Sequence, residues 1–218
     1  MVKFEKVSRF ADADFPMPAR KTAHSAGYDF AVAEEIIIPP LKNFWETLKQ
    51  DDILSLDEMA ALTKKTKAKP SLVSTGVKCK MEEDHYLELM VRSSTPLKYW
   101  LLMANGVGIV DADYYNNPDN EGEIFLEIIN LSPNPIVLHP GDIIGQGIIK
   151  SYVKIDDDDT TTERAGGFGS TTTEEFLEKL ADIWNKIPTA TSGYVSVEPD
   201  VFTAEEIKSY TTTATSNG

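Results

Sequence analysis

The chain has 218 residues, of which 41% are hydrophobic and 26% charged, and its formal net charge is −14. This length suits one domain with appendages and supplies enough apolar residues for a hydrophobic core. No apolar run approaches the ~20 residues of a membrane span, and the N-terminal residues lack the apolar stretch of a secretory signal, so we expect a cytoplasmic protein. The acidic balance argues against binding of DNA or RNA polymers, whose phosphates are held mainly by clustered Lys and Arg.

Cysteine and histidine give no indication of a structural metal. The single cysteine, Cys79, cannot form an internal disulfide, and the three histidines, His24, His85 and His139, lack the spacing of a metal site. A nucleotide remains compatible with an acidic chain, because a few Arg side chains, backbone amides and Mg²⁺ can hold a triphosphate locally.

In chain order, short apolar or alternating runs separated by turn residues predict a mostly β body. The predicted strands cover residues 34–38, 72–79, 86–91, 108–110, 124–129, 136–138 and 143–153. Prolines lie between several of these runs, where strands end or the chain turns.

Residues 41–69 interrupt the β pattern and predict a helical insertion. Its first helix contains Phe44 and Trp45, and its second begins at a capping box formed by Ser55 and Glu58. The insertion is expected to contain two short helices.

Residues 172–218 predict an extension that begins with a helix, because apolar residues recur at helical spacing until Pro188. An alternating stretch at 194–197 predicts a strand, and residues 211–218 are low in complexity and expected to be disordered. The predicted organisation is therefore a β domain at 1–171, interrupted by the insertion, followed by an extension with helical content.

Five short segments are expected to carry the chemistry, and their order and spacing say more than any one of them alone. They are Ala26-Gly27-Tyr28-Asp29, Arg92-Ser93-Ser94, residues 105–114, residues 140–146 and residues 164–171. This ordered set resembles the five motifs of the trimeric dUTP pyrophosphatases (dUTPases).

The resemblance covers residues 1–40 and 70–171. It implies a jelly-roll-like β-barrel that assembles as a homotrimer, with active sites shared between subunits and the fifth segment arriving from a neighbour. The implied reaction is Mg²⁺-dependent hydrolysis of dUTP to dUMP and pyrophosphate, which limits uracil in DNA and supplies dUMP.

The third segment alone predicts a glycine-rich β-hairpin that ends in an acidic turn. The resemblance implies that this hairpin forms a uracil pocket, with the Asn105 amide and backbone groups around Gly106 and Val110 pairing with the base. Glycine suits a position that a base approaches closely. The resemblance further implies that Asp111 is the general base for the attacking water, and that the Tyr114 ring packs on deoxyribose and excludes the ribose 2′-hydroxyl.

The second and fourth segments follow or begin apolar strands and carry donors that suit phosphate oxygens. The resemblance implies that Ser93 contacts the oxygen bridging the α- and β-phosphates, with Arg92, Ser94 and Gln146 as further substrate contacts. It assigns Asp29 of the first segment to positioning Mg²⁺ through water. Mg²⁺ in such sites takes most of its ligands from phosphate oxygens and water, so no cluster of metal ligands is expected in the sequence.

The fifth segment combines an arginine, three glycines and a central aromatic residue. The resemblance implies that Arg164 binds the γ-phosphate and Phe168 stacks on uracil, while Gly169, Ser170 and Thr171 make further contacts. Such an arm would order on binding and exclude water. The acidic and threonine-rich stretch before it suits either a mobile hinge or a plain linker.

Two alternative functions stay open at this point. Glu127 lies where the related dCTP deaminases carry a catalytic Glu, but Leu97 replaces the Arg expected three residues beyond Ser94. A binding module is the other alternative, in which residues 41–69 or 172–218 hold a protein partner such as a transcriptional repressor, as an addition to the enzymatic activity.

Overall fold

A computed structural model describes residues 1–41, 54–66, 69–162, 164 and 166 of the chain. The chain divides into two units, residues 1–167 and 168–218, and the second lies wholly outside the described residues. The predicted elements of the extension, and the insertion helix around Phe44 and Trp45, therefore fall outside the description.

The described part of the chain is mostly β, as the sequence predicts. The strands are β1 Lys3–Lys6, β2 Tyr28–Ala31, β3 Ile36–Ile38, β4 Ser71–Ser74, β5 Val77–Lys80, β6 His85–Val91, β7 Leu101–Met103, β8 Gly108–Asp111, β9 Phe125–Asn130, β10 Ile136–Leu138 and β11 Ile143–Ser151. The α-helices are α1 Leu56–Thr66 and α2 Ser94–Tyr99, and short 3-10 turns occupy Ser8–Phe10 and Ala112–Tyr114. None of the described helices is long and apolar enough to cross a membrane.

The strands form four antiparallel groups. A four-stranded sheet has the order β2-β11-β6-β8, a three-stranded sheet has the order β4-β9-β7, and β1 pairs with β5 as β3 does with β10. Strand β6 lies between β11 and β8, with Val91 opposite Gly145 at one end and Tyr86 opposite Asp111 at the other. This register decides where the functional segments lie.

Sequence periodicity missed several short elements and merged two strands. The strand predicted at 72–79 is broken at Gly76, whose φ of +67° turns the chain between β4 and β5. The predicted strand at 143–153 ends at Ser151. Strands β1, β2 and β7 and helix α2 were not predicted, because three- to six-residue elements carry too little periodicity to be read from the sequence alone.

The capping box of the insertion is confirmed. The Ser55 hydroxyl accepts a hydrogen bond from the Glu58 N–H at 3.2 Å, and the Glu58 carboxylate accepts the Ser55 N–H at 2.8 Å. These reciprocal bonds fix the start of α1.

The core lies between the inward faces of the two larger sheets. The side chains of Leu87 on β6 and Leu126 on β9 are fully buried. The Leu126 methyl groups lie so close to Gly145 of β11 that a Cβ there would come within 2.5 Å of one of them. Glu127 is half-buried on the face of β9 opposite Leu126, as an alternating strand requires.

We predict that Leu126→Ala lowers the free energy of unfolding by about 2–5 kcal/mol, because it removes a fully buried side chain where both sheets meet. Urea unfolding at fixed protein concentration measures the loss. Val153→Ala, at a side chain that is 94% exposed, is the control and should change the value by less than about 0.5 kcal/mol. Equal losses in the two variants would contradict this placement of the core.

Candidate active site

The first, second and fourth segments meet at one end of the four-stranded sheet. Asp29 on β2 lies opposite Gln146 on β11, and Gln146 lies opposite Met90 on β6. Arg92 follows the end of β6, and its Nε lies 3.1 Å from the Asp29 Oδ1. Segments far apart in sequence thus contribute one carboxylate, one guanidinium and one amide to the same place. With the adjacent Ser93 they form a set that we call the phosphate cluster, after the role that the family resemblance implies: Asp29, Arg92, Ser93 and Gln146.

Asp29 is the anchor of the phosphate cluster. Its side chain is only 10% exposed, and its Oδ2 is buried without a hydrogen-bond partner among the described residues. A buried carboxylate oxygen of this kind normally has a partner, often a water or an ion. The unpaired oxygen is therefore suited to accept a hydrogen bond from metal-bound water.

Gly27 leaves room for the Gln146 amide. A Cβ at residue 27 would lie 2.6 Å from the Gln146 Oε1, so a larger residue would displace the end of the Gln146 side chain. The glycine of the first segment thus lets the side chain of the fourth keep its position. It allows the amide to lie beside Asp29.

Ser93 lies at the start of α2, where the chain leaves the sheet. Its backbone is helical, with φ −53° and ψ −32°, and its side chain makes no capping hydrogen bond. The preceding residue is fixed to β11 by the bond from the Arg92 N–H to the Ile144 carbonyl, at 3.0 Å. Ser93 is exposed and its hydroxyl is not used for capping, whereas Ser94 is half-buried in the first turn of the helix.

The third segment contains a tight turn followed by β8, but the predicted hairpin is wrong, because β7 before the turn pairs with β9 whereas β8 after it pairs with β6. The turn, which links the two larger sheets, is closed by the bonds from the Gly106 N–H to the Met103 carbonyl, at 3.2 Å, and from the Val107 N–H to the Asn105 carbonyl, at 2.8 Å. Asn105 and Gly106 are exposed there, so an amide and backbone groups face outward at the tip. Strand β8 then carries the chain to Asp111.

Asp111 and the fifth segment are in contact. The Arg164 Nη2 lies 2.6 Å from the Asp111 Oδ2, and its Nε lies 2.8 Å from the Asp113 Oδ1. The Arg164 guanidinium also lies over the Tyr114 ring, 5.7 Å from its centroid. We call Asp111, Asp113, Tyr114 and Arg164 the acid cluster.

Asp113 has a role that the sequence did not predict. The acidic residue two positions after Asp111 lies in the 3-10 turn, where it becomes a second carboxylate for the same guanidinium. The Asp-x-Asp spacing before an aromatic residue was the available signal. Its partner, Arg164, lies 51 residues further along the chain.

The environment of Asp111 raises the pKa of its carboxyl above the ordinary value. Partial burial is the largest cause, Arg164 opposes it, and the neighbouring Asp113 carboxylate adds to it. Burial and a like charge both disfavour the ionised form. Asp111 is therefore a stronger base, once ionised, than a solvated aspartate.

The phosphate cluster and the acid cluster lie at opposite ends of β6. Asp111 is opposite Tyr86 at its start, whereas Arg92 follows its last residue. Six positions of extended chain correspond to roughly 20 Å. A single chain therefore does not bring Asp111 together with Ser93, and Phe168, Gly169, Ser170 and Thr171 lie outside the described residues.

Comparison with known proteins identifies the family of the chain. The family model for dUTPase matches residues 49–172. The deoxyuridine 5'-triphosphate nucleotidohydrolase of Lactococcus lactis subsp. lactis (strain IL1403) is 34% identical over 153 residues, which cover 70% of this chain and 84% of that protein.

Two solved structures are similar to the described fold. The dUTPase from Streptococcus mutans has a TM-score of 0.55 and 35% identity, covering 70% of this chain and 98% of its own. A dUTPase from phage phi11 of S. aureus has a TM-score of 0.51 at 16% identity, with 74% and 97% covered, and shares the fold. The family match and the similar relatives identify the chain as a nucleoside triphosphate pyrophosphohydrolase. The chain belongs to the dUTPase family.

We predict opposite shifts of the Asp111 pKa in two variants of the acid cluster. Arg164→Met keeps the bulk of the side chain but removes a charge that lowers the pKa of Asp111, so that pKa should rise. Asp113→Asn removes a carboxylate that raises it, so the pKa should fall. Carboxyl ¹³C titration by NMR measures both, and shifts of the same sign in the two variants would contradict the described contacts.

Proposed function

We propose that the chain hydrolyses dUTP to dUMP and pyrophosphate by attack of water on the α-phosphorus, with Asp111 as general base. The observation that carries the assignment of residues is the contact of Arg164 with Asp111. It joins the carboxylate of the third segment to the arginine of the fifth, as a site for a triphosphate beside a water-activating base requires. A soluble nucleotide as substrate suits the predicted cytoplasmic location.

Asp111 would take the proton of the attacking water. Only the ionised carboxylate can take this proton. The raised pKa of Asp111 makes the ionised carboxylate a stronger base. It also means that activity is lost at a higher pH than it would be with a solvated aspartate. Activity is accordingly present above the pKa of Asp111 and falls as the pH decreases through it.

The phosphate cluster would bind the triphosphate and stabilise the leaving group. Negative charge develops on the oxygen that bridges the α- and β-phosphates as the bond to the α-phosphorus breaks. A hydrogen bond from a hydroxyl to that oxygen therefore stabilises the transition state more than the ground state. The exposed Ser93 hydroxyl supplies this donor, while Arg92 and Gln146 hold phosphate oxygens. Ser94, half-buried behind Ser93, is a weaker candidate for direct contact.

The acid cluster would exchange its partner when substrate binds. Arg164 is held by two carboxylates in the free chain, and a γ-phosphate offers it a stronger charge-assisted contact. Movement of Arg164 to the γ-phosphate would leave Asp111 free to bind the water.

The donor set also fits a magnesium ion. The unpaired, buried Asp29 Oδ2 can accept a hydrogen bond from water on the metal, and the remaining ligands would be phosphate oxygens and water. Mg²⁺, when bound, neutralises charge on the triphosphate.

Uracil would be recognised at the turn between β7 and β8. The exposed Asn105 amide and the backbone of Gly106 face outward there, and Val110 follows on β8. Tyr114 would then lie against the deoxyribose, and Phe168 would cover the base from the fifth segment.

A homotrimer with shared sites would resolve the separation along β6. The Ser93 of one chain and the Asp111 of a neighbour can form one site where the two ends of β6 in a single chain cannot. We propose in addition that residues 1–171 form a jelly-roll-like barrel, to which 41–69 and 172–218 are additions that could hold a protein partner.

We expect Asp111→Asn to bind dUTP but to turn it over at least ~100-fold more slowly, the scale of a lost general base. The purified protein is incubated with Mg²⁺ and, separately, dUTP, UTP, dCTP or dTTP, and pyrophosphate and base are identified by chromatography. Unaltered turnover in the variant would remove Asp111 from this role.

A second candidate function, deamination of dCTP, is favoured by one contact. The Glu127 carbonyl accepts the N–H of Ala104 at 2.8 Å, so Glu127 lies beside the turn at Asn105. The same incubation separates the two reactions, since deamination would convert dCTP to a uracil nucleotide. Glu127→Gln should leave dUTP hydrolysis within about twofold of wild type, because the half-buried Glu127 carboxylate has no role in the proposed hydrolysis.

A further inference from the structure

The loop that follows Tyr114 folds back onto that residue. The Tyr114 hydroxyl donates to the Glu123 carbonyl at 3.1 Å and accepts a hydrogen bond from the Asn120 Nδ2 at 2.8 Å. The Tyr114 side chain is only 8% exposed. The hydroxyl is thus bonded, as a donor and as an acceptor, to residues 120–123, which end this loop.

Asn117 holds the other end of the tyrosine and the loop together. Its side chain is buried, and its Nδ2 donates to the Tyr114 carbonyl at 3.0 Å and to the Asn120 Oδ1 at 2.8 Å. Its Oδ1 accepts the N–H of Asp119 at 3.1 Å and that of Asn120 at 3.2 Å. Asn117 and Asn120 therefore form a connected pair, one on the backbone of Tyr114 and one on its hydroxyl.

The end of the loop is fixed to the body of the protein. The Glu123 carboxylate is buried, accepts two hydrogen bonds from Arg9 at 2.9 and 2.8 Å, and also binds the Ser74 hydroxyl at 2.5 Å. Glu121 accepts the N–H and hydroxyl of Ser8 at 3.2 and 2.9 Å. Because the Glu121 and Glu123 side chains bind Ser8, Arg9 and Ser74, the loop is a fixed support against which the tyrosine is held.

We propose that Asn120, held by Asn117, is a positioning residue. It limits how far the Tyr114 ring can move away from the bound sugar, and so contributes to the exclusion of ribonucleotides. The inference rests on the proposed function, in which the Tyr114 ring packs on deoxyribose. The Arg164 guanidinium lies over this ring, so the departure of Arg164 toward a γ-phosphate would open the ring to the sugar.

Free-energy linkage gives the size of the effect. A ribose 2′-hydroxyl needs room that deoxyribose does not, and the ring supplies it by breaking the hydrogen bonds of the Tyr114 hydroxyl to Asn120 and to Glu123. Binding of UTP in the transition state therefore carries the cost of those bonds, whereas binding of dUTP does not. Asn120→Ala removes the first of them and should raise kcat/KM for UTP by the free energy of one neutral hydrogen bond, roughly 3- to 10-fold, with little change for dUTP.

The test compares wild type, Asn120→Ala, Tyr114→Phe and the double variant with dUTP and with UTP. We expect Asn120→Ala to lower the ratio of kcat/KM for dUTP to that for UTP by roughly 3- to 10-fold, and Tyr114→Phe to lower it by at least as much, because it also removes the bond to Glu123. The double variant should lower it no further than Tyr114→Phe alone, because the Asn120 bond is already absent in Tyr114→Phe. Tyr114→Phe keeps Asn120 in the loop and so provides the measurement should Asn120→Ala fail to fold.

Glu121→Gln is the matched control. It weakens the anchoring of the loop to Ser8 without touching Tyr114, so the ratio should stay as in wild type. A ratio unchanged in Asn120→Ala and Tyr114→Phe, or equal losses for both substrates, would overturn the inference while leaving dUTP hydrolysis intact. Absence of dUTP turnover in the wild type would instead refute the proposed function.

Discussion

The antiparallel register of β6 is the constraint on which the arrangement of functional groups depends. Strand β11 pairs with one side of β6 and β8 with the other, and these pairings put Arg92 at the exit of the strand and Asp111 beside its start. A shift of one residue in either pairing would turn the alternating side chains of that strand to the opposite face. The buried Leu87 and Leu89 on β6 prevent such a shift, so the packing of the core determines where Arg92 and Asp111 lie.

At each end of β6 in the four-stranded sheet, one arginine is paired with carboxylate groups. At the phosphate cluster Arg92 is paired with the buried Asp29, and the contact keeps the guanidinium in place before any phosphate arrives. At the acid cluster Arg164 is paired with Asp111 and Asp113, whose carboxylates are about half exposed. The first pair suits a permanent support, because removing Arg92 would leave the buried Asp29 carboxylate unpaired. Arg164 is itself only 11% exposed, so it can leave its two carboxylates only for another anion.

Sequence reasoning was most successful where local pattern and motif order agreed. The mostly β fold, the capping box at Ser55 and the glycine-rich turn before Asp111 could all be predicted from residues close together in the chain, whereas the hairpin expected around that turn is absent because β7 and β8 pair into different sheets. The contact of Asp29 with Arg92 could be expected only from the family resemblance, since it joins strands 63 residues apart with no local signal. The pairing of Asp113 with Arg164 and the support of Tyr114 by Asn120 depend on tertiary geometry. Short strands such as β7 form because β9 offers a partner, and no periodicity within three residues reveals that.

The central claim is that one active site needs Ser93 from one chain and Asp111 from another. Ser93→Ala and Asp111→Asn chains, each inactive alone, would be unfolded together in equal amounts, refolded and assayed for dUTP hydrolysis. If the donors are different subunits, about one quarter of the sites receive both intact residues, and about one quarter of wild-type activity should return. If both residues act within one chain, every site retains a defect, and activity no higher than that of the separate variants would contradict the account.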